Sequence, residues 1–335
     1  MTSKSGFVNV LATGGKLIML TGIMFVLFAV TMTVTGVAND PSLSEQTSVA
    51  VDQDPTAEGP IVTPAPEPTP SDPAAEGRLA LIFLGICFLQ TLALSAVILR
   101  SRWRGWRLVL AIFSVMFVLT AVLSQMESLF FIQEMSRALI ARLVLSSAVV
   151  AAAFSTLAVW ILGRFRSRGE APVPSEIEAR STRQWVVMFL GLAVLHIVTY
   201  FFFGYHIAWQ SPELRAFYGG EDPGSFWLQM ASVIRDTPWI MPLQIVRGLL
   251  WGLAAVVLAS GLTGSRWSAA LLTAGVFVAL FSLPLLLPNP LMPEAVRQTH
   301  LIETFISRGL FGFLAVVIAR WPLLPARVQP APVRS

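Results

Sequence analysis

The sequence predicts an all-α fold: a polytopic transmembrane helical bundle of about eight spans, with both ends in the cytoplasm. Three observations predict it. Of 335 residues, 55% are hydrophobic and only 13% are charged, about half the charged share of a soluble domain, and the mean hydropathy is +0.71. The apolar residues gather in runs of roughly 20, the length that crosses a hydrocarbon core about 30 Å thick. The 23 Lys and Arg residues are distributed unevenly over the loops between those runs.

The first run is Leu17 to Val37, behind Lys4 and Lys16. Gly36-Val37-Ala38 resembles a signal-peptidase site, but a signal core has roughly 7–15 apolar residues. The longer run reads as a retained helix, giving an N-terminal unit over 1–38. Residues 39–78 are rich in Pro, Ala, Thr and acids, around Thr63-Pro64-Ala65-Pro66-Glu67-Pro68-Thr69-Pro70. Too little apolar surface is present to offset ordering, so a disordered extracytoplasmic tether is expected there. The remaining runs are Leu79–Leu99, Leu108–Ile132, Ala138–Gly163, Trp185–His206, Trp239–Ser260, Trp267–Leu287 and His300–Arg320. They make a seven-helix domain over 79–322, followed by a tail over 323–335.

Orientation follows from the bases. Fifteen lie in one set of loops and five in the other, so the first set is cytoplasmic, and a multi-pass protein of the cell (cytoplasmic) membrane is expected. Trp103, Trp106, Trp185, Trp209, Trp239, Trp267 and Trp321 fall near span ends, where an indole favours the headgroup region. In the outer loop 207–238, Asp222-Pro223 reads as a helix start, with Phe226, Met230 and Val233 on one face. Pro242 and Pro284 are expected to bend their spans. Gly248-x-x-x-Gly252 and the small residues of the fourth span are expected to pack closely.

Three arginines fall inside spans: Arg142, Arg247 and Arg308. Glu127 and Glu303 accompany them, and His196 sits near the midplane. A charge at the bilayer centre costs about 2.5–3.5 kcal/mol on insertion scales. Lipid offers no hydrogen-bond partner, so these groups must face protein or water. At 100° per residue, Arg297, His300, Glu303, Thr304, Ser307 and Arg308 share about 140° of one helix. Gln244, Arg247, Gly248 and Trp251 share a side of another, as do Thr120, Ser124, Glu127 and Ser128. Glu127, Arg142, His196, Arg247, His300, Glu303 and Arg308 are therefore the candidate ligand-binding residues, converging beneath the outer leaflet.

With three arginines to two glutamates, that set would favour a small anion held by bidentate arginine contacts. The competing reading pairs Glu127 with Arg142, and Glu303 with Arg247 or Arg308, as ion pairs that only fix packing. Three functional classes remain: a transporter-like or ligand-binding protein, an intramembrane enzyme acting on lipid, and an accessory subunit for a membrane protein partner. No phosphate loop, dinucleotide fingerprint, His-Glu-x-x-His or nucleophile elbow is present. The lone Cys87 excludes an internal disulfide and a multi-cysteine metal site, so no metal or cofactor is expected. The loop placement of the bases points to the lipid bilayer, not nucleic acid, as the basic partner.

Overall fold

The computed structural model describes residues 2–38, 40, 73–132, 135–166, 175, 177–289 and 291–321, with side chains from residue 13 onward. Most of the tether and the C-terminal tail lie outside the described residues. Ten helices organise the described chain. Eight are long and apolar enough to cross a membrane: α1 (Thr2–Val34), α2 (Pro73–Arg100), α3 (Gly105–Phe131), α4 (Arg137–Ile161), α5 (Thr182–His206), α8 (Ile240–Gly261), α9 (Arg266–Leu286) and α10 (Glu294–Ala319). The outer loop contributes α6 (Pro212–Tyr218) and α7 (Phe226–Asp236).

Span limits shift at two outer ends. Helix α2 begins at Pro73, so 73–78 is helical rather than tether. Proline suits a first turn, where its missing N–H has no intrahelical partner to lose. Helix α10 begins at Glu294, behind Pro293, which places Arg308 fourteen residues, about 21 Å, from the helix start.

Helices α8 and α10 form the centre of the bundle. Helix α8 packs on α5, α3, α9 and α10, while α1 lies at the periphery against α2 and α4. Gly248 explains how α5 and α8 approach. A Cβ there would stand 2.9 Å from the Ala193 Cα and 3.0 Å from the His196 Cβ. Gly252 faces Leu192 in the same way, so the expected small-residue contact is realised on this pair.

Proline acts differently from expectation. Pro242 sits in the first turn of α8, where it costs no intrahelical hydrogen bond. Pro284 terminates α9 in a 3-10 turn over Leu283–Leu286. Two spans also contain π segments, Val118–Leu123 in α3 and Val278–Ser282 in α9. A π turn loosens the backbone ladder, and the Gln90 side chain of α2 donates to the Ala279 carbonyl at 3.1 Å.

At the base-rich end, arginines satisfy the orphan carbonyls that end each helix. Arg320 donates to the Ala259 carbonyl at the end of α8, at 2.6 Å from Nη2. Arg180 donates to the Ala319 carbonyl at the end of α10, at 2.7 Å. Arg164 donates to the Ser101 carbonyl beyond α2. These loops therefore share one end of the bundle, the inner end by the charge bias.

The outer loop departs from expectation in two ways. Helix α7 starts at Phe226 with Ser225 as its cap, and Asp222 instead accepts from the Gly224 N–H in a local turn. Helix α6 was not anticipated, although Ser211-Pro212 is a cap followed by proline in the first turn.

Candidate functional site

The charged side chains fall into a chain of contacts running from the outer surface toward the membrane centre. Glu127, on α3, is one-third exposed and ion-paired with Arg247 of α8, which is fully buried. Arg247 also donates to the Gln244 Oε1 at 3.2 Å, one turn away. The same oxygen lies 3.1 Å from Nε2 of His196 on α5. On its other side, Nδ1 of His196 stands 3.2 Å from Nη1 of Arg308 on α10.

These contacts fix the histidine's state by donor counting. A guanidinium has only donors, so Nδ1 of His196 must accept, and Nε2 carries the proton that it donates to Gln244. His196 is thus held as a neutral connector between two arginines. That arrangement removes the midplane proton shuttle that an isolated histidine would suggest.

Arg308 is 1% exposed. Among the described residues no carboxylate lies within 4.0 Å of it, so the expected pairing with Glu303 is not made. Its guanidinium lies instead over Trp251, 5.0 Å from the ring centre, and 5.6 Å from the ring of Phe281. Trp251 is itself fully buried among Phe277, Phe281 and Phe311. The π segment of α9 delivers Phe281 to this wall.

Glu303 makes its contacts along its own helix. Ser307 donates to its Oε1 at 3.0 Å, and Nδ1 of His300 lies 3.9 Å from its Oε2. Nε2 of His300 meets the hydroxyl of Tyr218, from α6, at 3.0 Å. Burial and then the Glu127 carboxylate push the Tyr218 phenol above its ordinary range. Helix α6 therefore covers the outer end of this cluster through one neutral hydroxyl.

Arg142 lies apart. Its side chain, 42% exposed, pairs with Asp40 at 2.9 Å, just beyond α1. Helix α4 turns Arg142 toward α1, and Asp40 belongs to the acidic segment treated as tether, so the sequence did not suggest this partner. The correction changes the charge count. Without Arg142 the cluster holds two guanidinium groups and two carboxylates, and the excess positive charge read from the sequence is gone.

Hydrogen bonding is not balanced in the same way. Within the cluster, four buried N–H groups have no acceptor among the described residues: Nε2 of Gln244, Nε of Arg247, Nε1 of Trp251 and Nε of Arg308. All four are donors, and all belong to the residues around His196 and Arg308. The sequence marked Gln244 and Trp251 only as neighbours in helical phase. Their direct roles depend on rotamers and on the α5–α8 approach, which a phase plot does not contain.

A small apolar crevice lies elsewhere, at the inner ends of α2, α3 and α8, lined by Val97, Trp103, Ile112 and Leu258. At about 10 Å³ it accommodates no more than a water. The eight apolar helices make the chain an integral, multi-pass membrane protein. Comparison with protein-family models, curated proteins and solved structures finds no match to this chain.

Proposed function

We propose that this membrane protein is transporter-like and binds a small anion, of the carboxylate or phosphate class, at Arg308 from the outer side. The observation that carries the reading is a set of four buried donors that have no acceptor among the described residues, around a guanidinium with no described carboxylate within 4.0 Å. Unsatisfied buried donors each cost about 1–3 kcal/mol, and one anionic oxygen cluster would satisfy several. Guanidinium and indole N–H groups supply directional donors, and the Trp251, Phe281 and Phe311 walls supply a low-dielectric surround that strengthens them.

Entry from the outer side is favoured because the partly exposed members, Glu127 and His300, lie on that side of the buried ones. Helix α6, held by the Tyr218–His300 contact, stands over this approach as a cover that opens. An intramembrane enzyme receives less support, since His196 is committed on both nitrogens, to Gln244 and Arg308, and not to either glutamate.

Calorimetric titration of purified protein with acetate and with inorganic phosphate tests the proposal. A saturable, single-site signal is expected with at least one of them, and it is expected to disappear in a folded Arg308→Met variant. Equal binding by the variant would remove Arg308 from the site, and no saturable binding of either anion would end the anion reading.

A further inference from the structure

We infer that each monovalent anion bound is accompanied by one proton, taken up by Glu127 as its carboxylate gives up Arg247. The inference rests on the anion reading above and specifies its coupling. It starts from the charge count. The buried cluster is neutral as it stands: Arg247 and Arg308 balance Glu127 and Glu303, and His196 is locked neutral between the arginines. An anion entering alone would leave one uncompensated negative charge inside the membrane, where unpaired charge is costly. A proton arriving with the anion restores neutrality.

Glu127 is the group placed to take it. Its side chain is one-third exposed, whereas that of Glu303 is 8% exposed and accepts from Ser307. Glu127 also competes with an anion at Arg308 for Arg247, whose Nε is one of the open donors of the same cluster. Helix α4, which packs on the same end of α3, carries Arg137, which is exposed, and Arg142, which is paired with Asp40. Arg247 lies on α8, Tyr200 on α5, Tyr218 on α6, and His300, Glu303 and Arg308 on α10. Of these only Arg247 contacts the Glu127 carboxylate directly. The arginines stay charged and the tyrosines stay neutral at physiological pH.

The step balances simply. The Glu127 carboxylate and Arg247 guanidinium part, one O–H bond forms on Glu127 from a solvent proton, and the anion held at Arg308 also takes the donors vacated on Arg247. No covalent bond breaks and no electron is transferred. If the anion and proton then leave on the inner side together, the protein is a proton–anion cotransporter.

Acetate titration at several values between about pH 6 and 8, where acetate stays ionised, tests the coupling. Parallel titrations in two buffers of different ionisation enthalpy count the protons. Wild-type protein is expected to take up one proton per acetate and to bind about tenfold more tightly for each unit of pH decrease, the linkage slope for one proton. Glu127→Gln is expected to bind acetate with no proton uptake and no pH slope. Acetate binding by the wild type without proton uptake overturns the coupling while leaving the anion site standing. Retained uptake in Glu127→Gln overturns the assignment to Glu127. Absence of acetate binding at every pH removes the anion reading and the coupling together. If Glu127→Gln does not fold, the two-buffer count on wild type still decides whether a proton enters.

Discussion

Replacing Arg308 by Met separates a ligand-binding arginine from one that only fixes packing. Methionine keeps an unbranched stem of similar reach and removes the charge. The terms can be worked from the structure. Burying the guanidinium near the centre costs about 2.5–3.5 kcal/mol. Against that stand a desolvated cation–π contact with Trp251, about 2 kcal/mol, and a charged hydrogen bond to His196, about 1.5–3 kcal/mol. The two sides cancel to within about 2 kcal/mol, so Arg308→Met should unfold within about 2 kcal/mol of wild type. Removing one member of a buried ion pair instead costs about 3–5 kcal/mol, because the partner charge is stranded. Arg308 has no such partner within 4.0 Å among the described residues. Reversible unfolding of the purified protein in mixed micelles reads the difference. A loss above about 3 kcal/mol would refute the reasoning, since it would mean that Arg308 is the direct ion-pair partner of a buried carboxylate.

Other outcomes follow from the same contacts. Arg142→Ala breaks only the half-exposed pair with Asp40, so thermal unfolding should shift by no more than about 1 kcal/mol, and anion binding should not change. Gly248→Ala drives a methyl to 2.9 Å from the backbone of Ala193, so it should cost about 1–3 kcal/mol in unfolding titrations and weaken anion binding by displacing His196. Tyr218→Phe should raise hydrogen exchange in α6 by loss of one hydrogen bond, about 0.5–1.5 kcal/mol, without unfolding the bundle. The raised Tyr218 phenol gives that contact a pH dependence of definite sign. The folded state holds the proton more tightly, so stability is complete below the ordinary tyrosine value of about 10 and declines as pH rises beyond it. Exchange in α6 should therefore be flat through neutral pH and rise only in alkali.

The spans were legible because lipid imposes one requirement on every residue that crosses it. Their orientation was legible because arginine accumulates on one side, where Arg164, Arg180 and Arg320 also cap neighbouring helices. Helical phase likewise brought Arg247 and Arg308 into view. Phase alone does not name the neighbour a side chain meets. Arg142 shares the depth of the cluster in the sequence although α4 points it at Asp40, and Glu127 pairs with Arg247 rather than with Arg142. The π segments of α3 and α9 carry no proline or glycine that would announce them. Their effect, placing Phe281 beside Arg308, arises only from tertiary packing. Helix α6 is legible in principle from Ser211-Pro212, but the same loop also holds Asp222-Pro223, an equal start signal that caps no helix.

Diffraction from crystals soaked in bromoacetate, with bromine located by its anomalous signal, tests most directly whether Arg308 takes an anion. A carboxylate within hydrogen-bond distance of Nε of Arg308, with bromine beside Trp251 and Phe281, is the predicted result. Bromine found only at the arginines of the inner loops, with the Arg308 side chain packed as before, would contradict it.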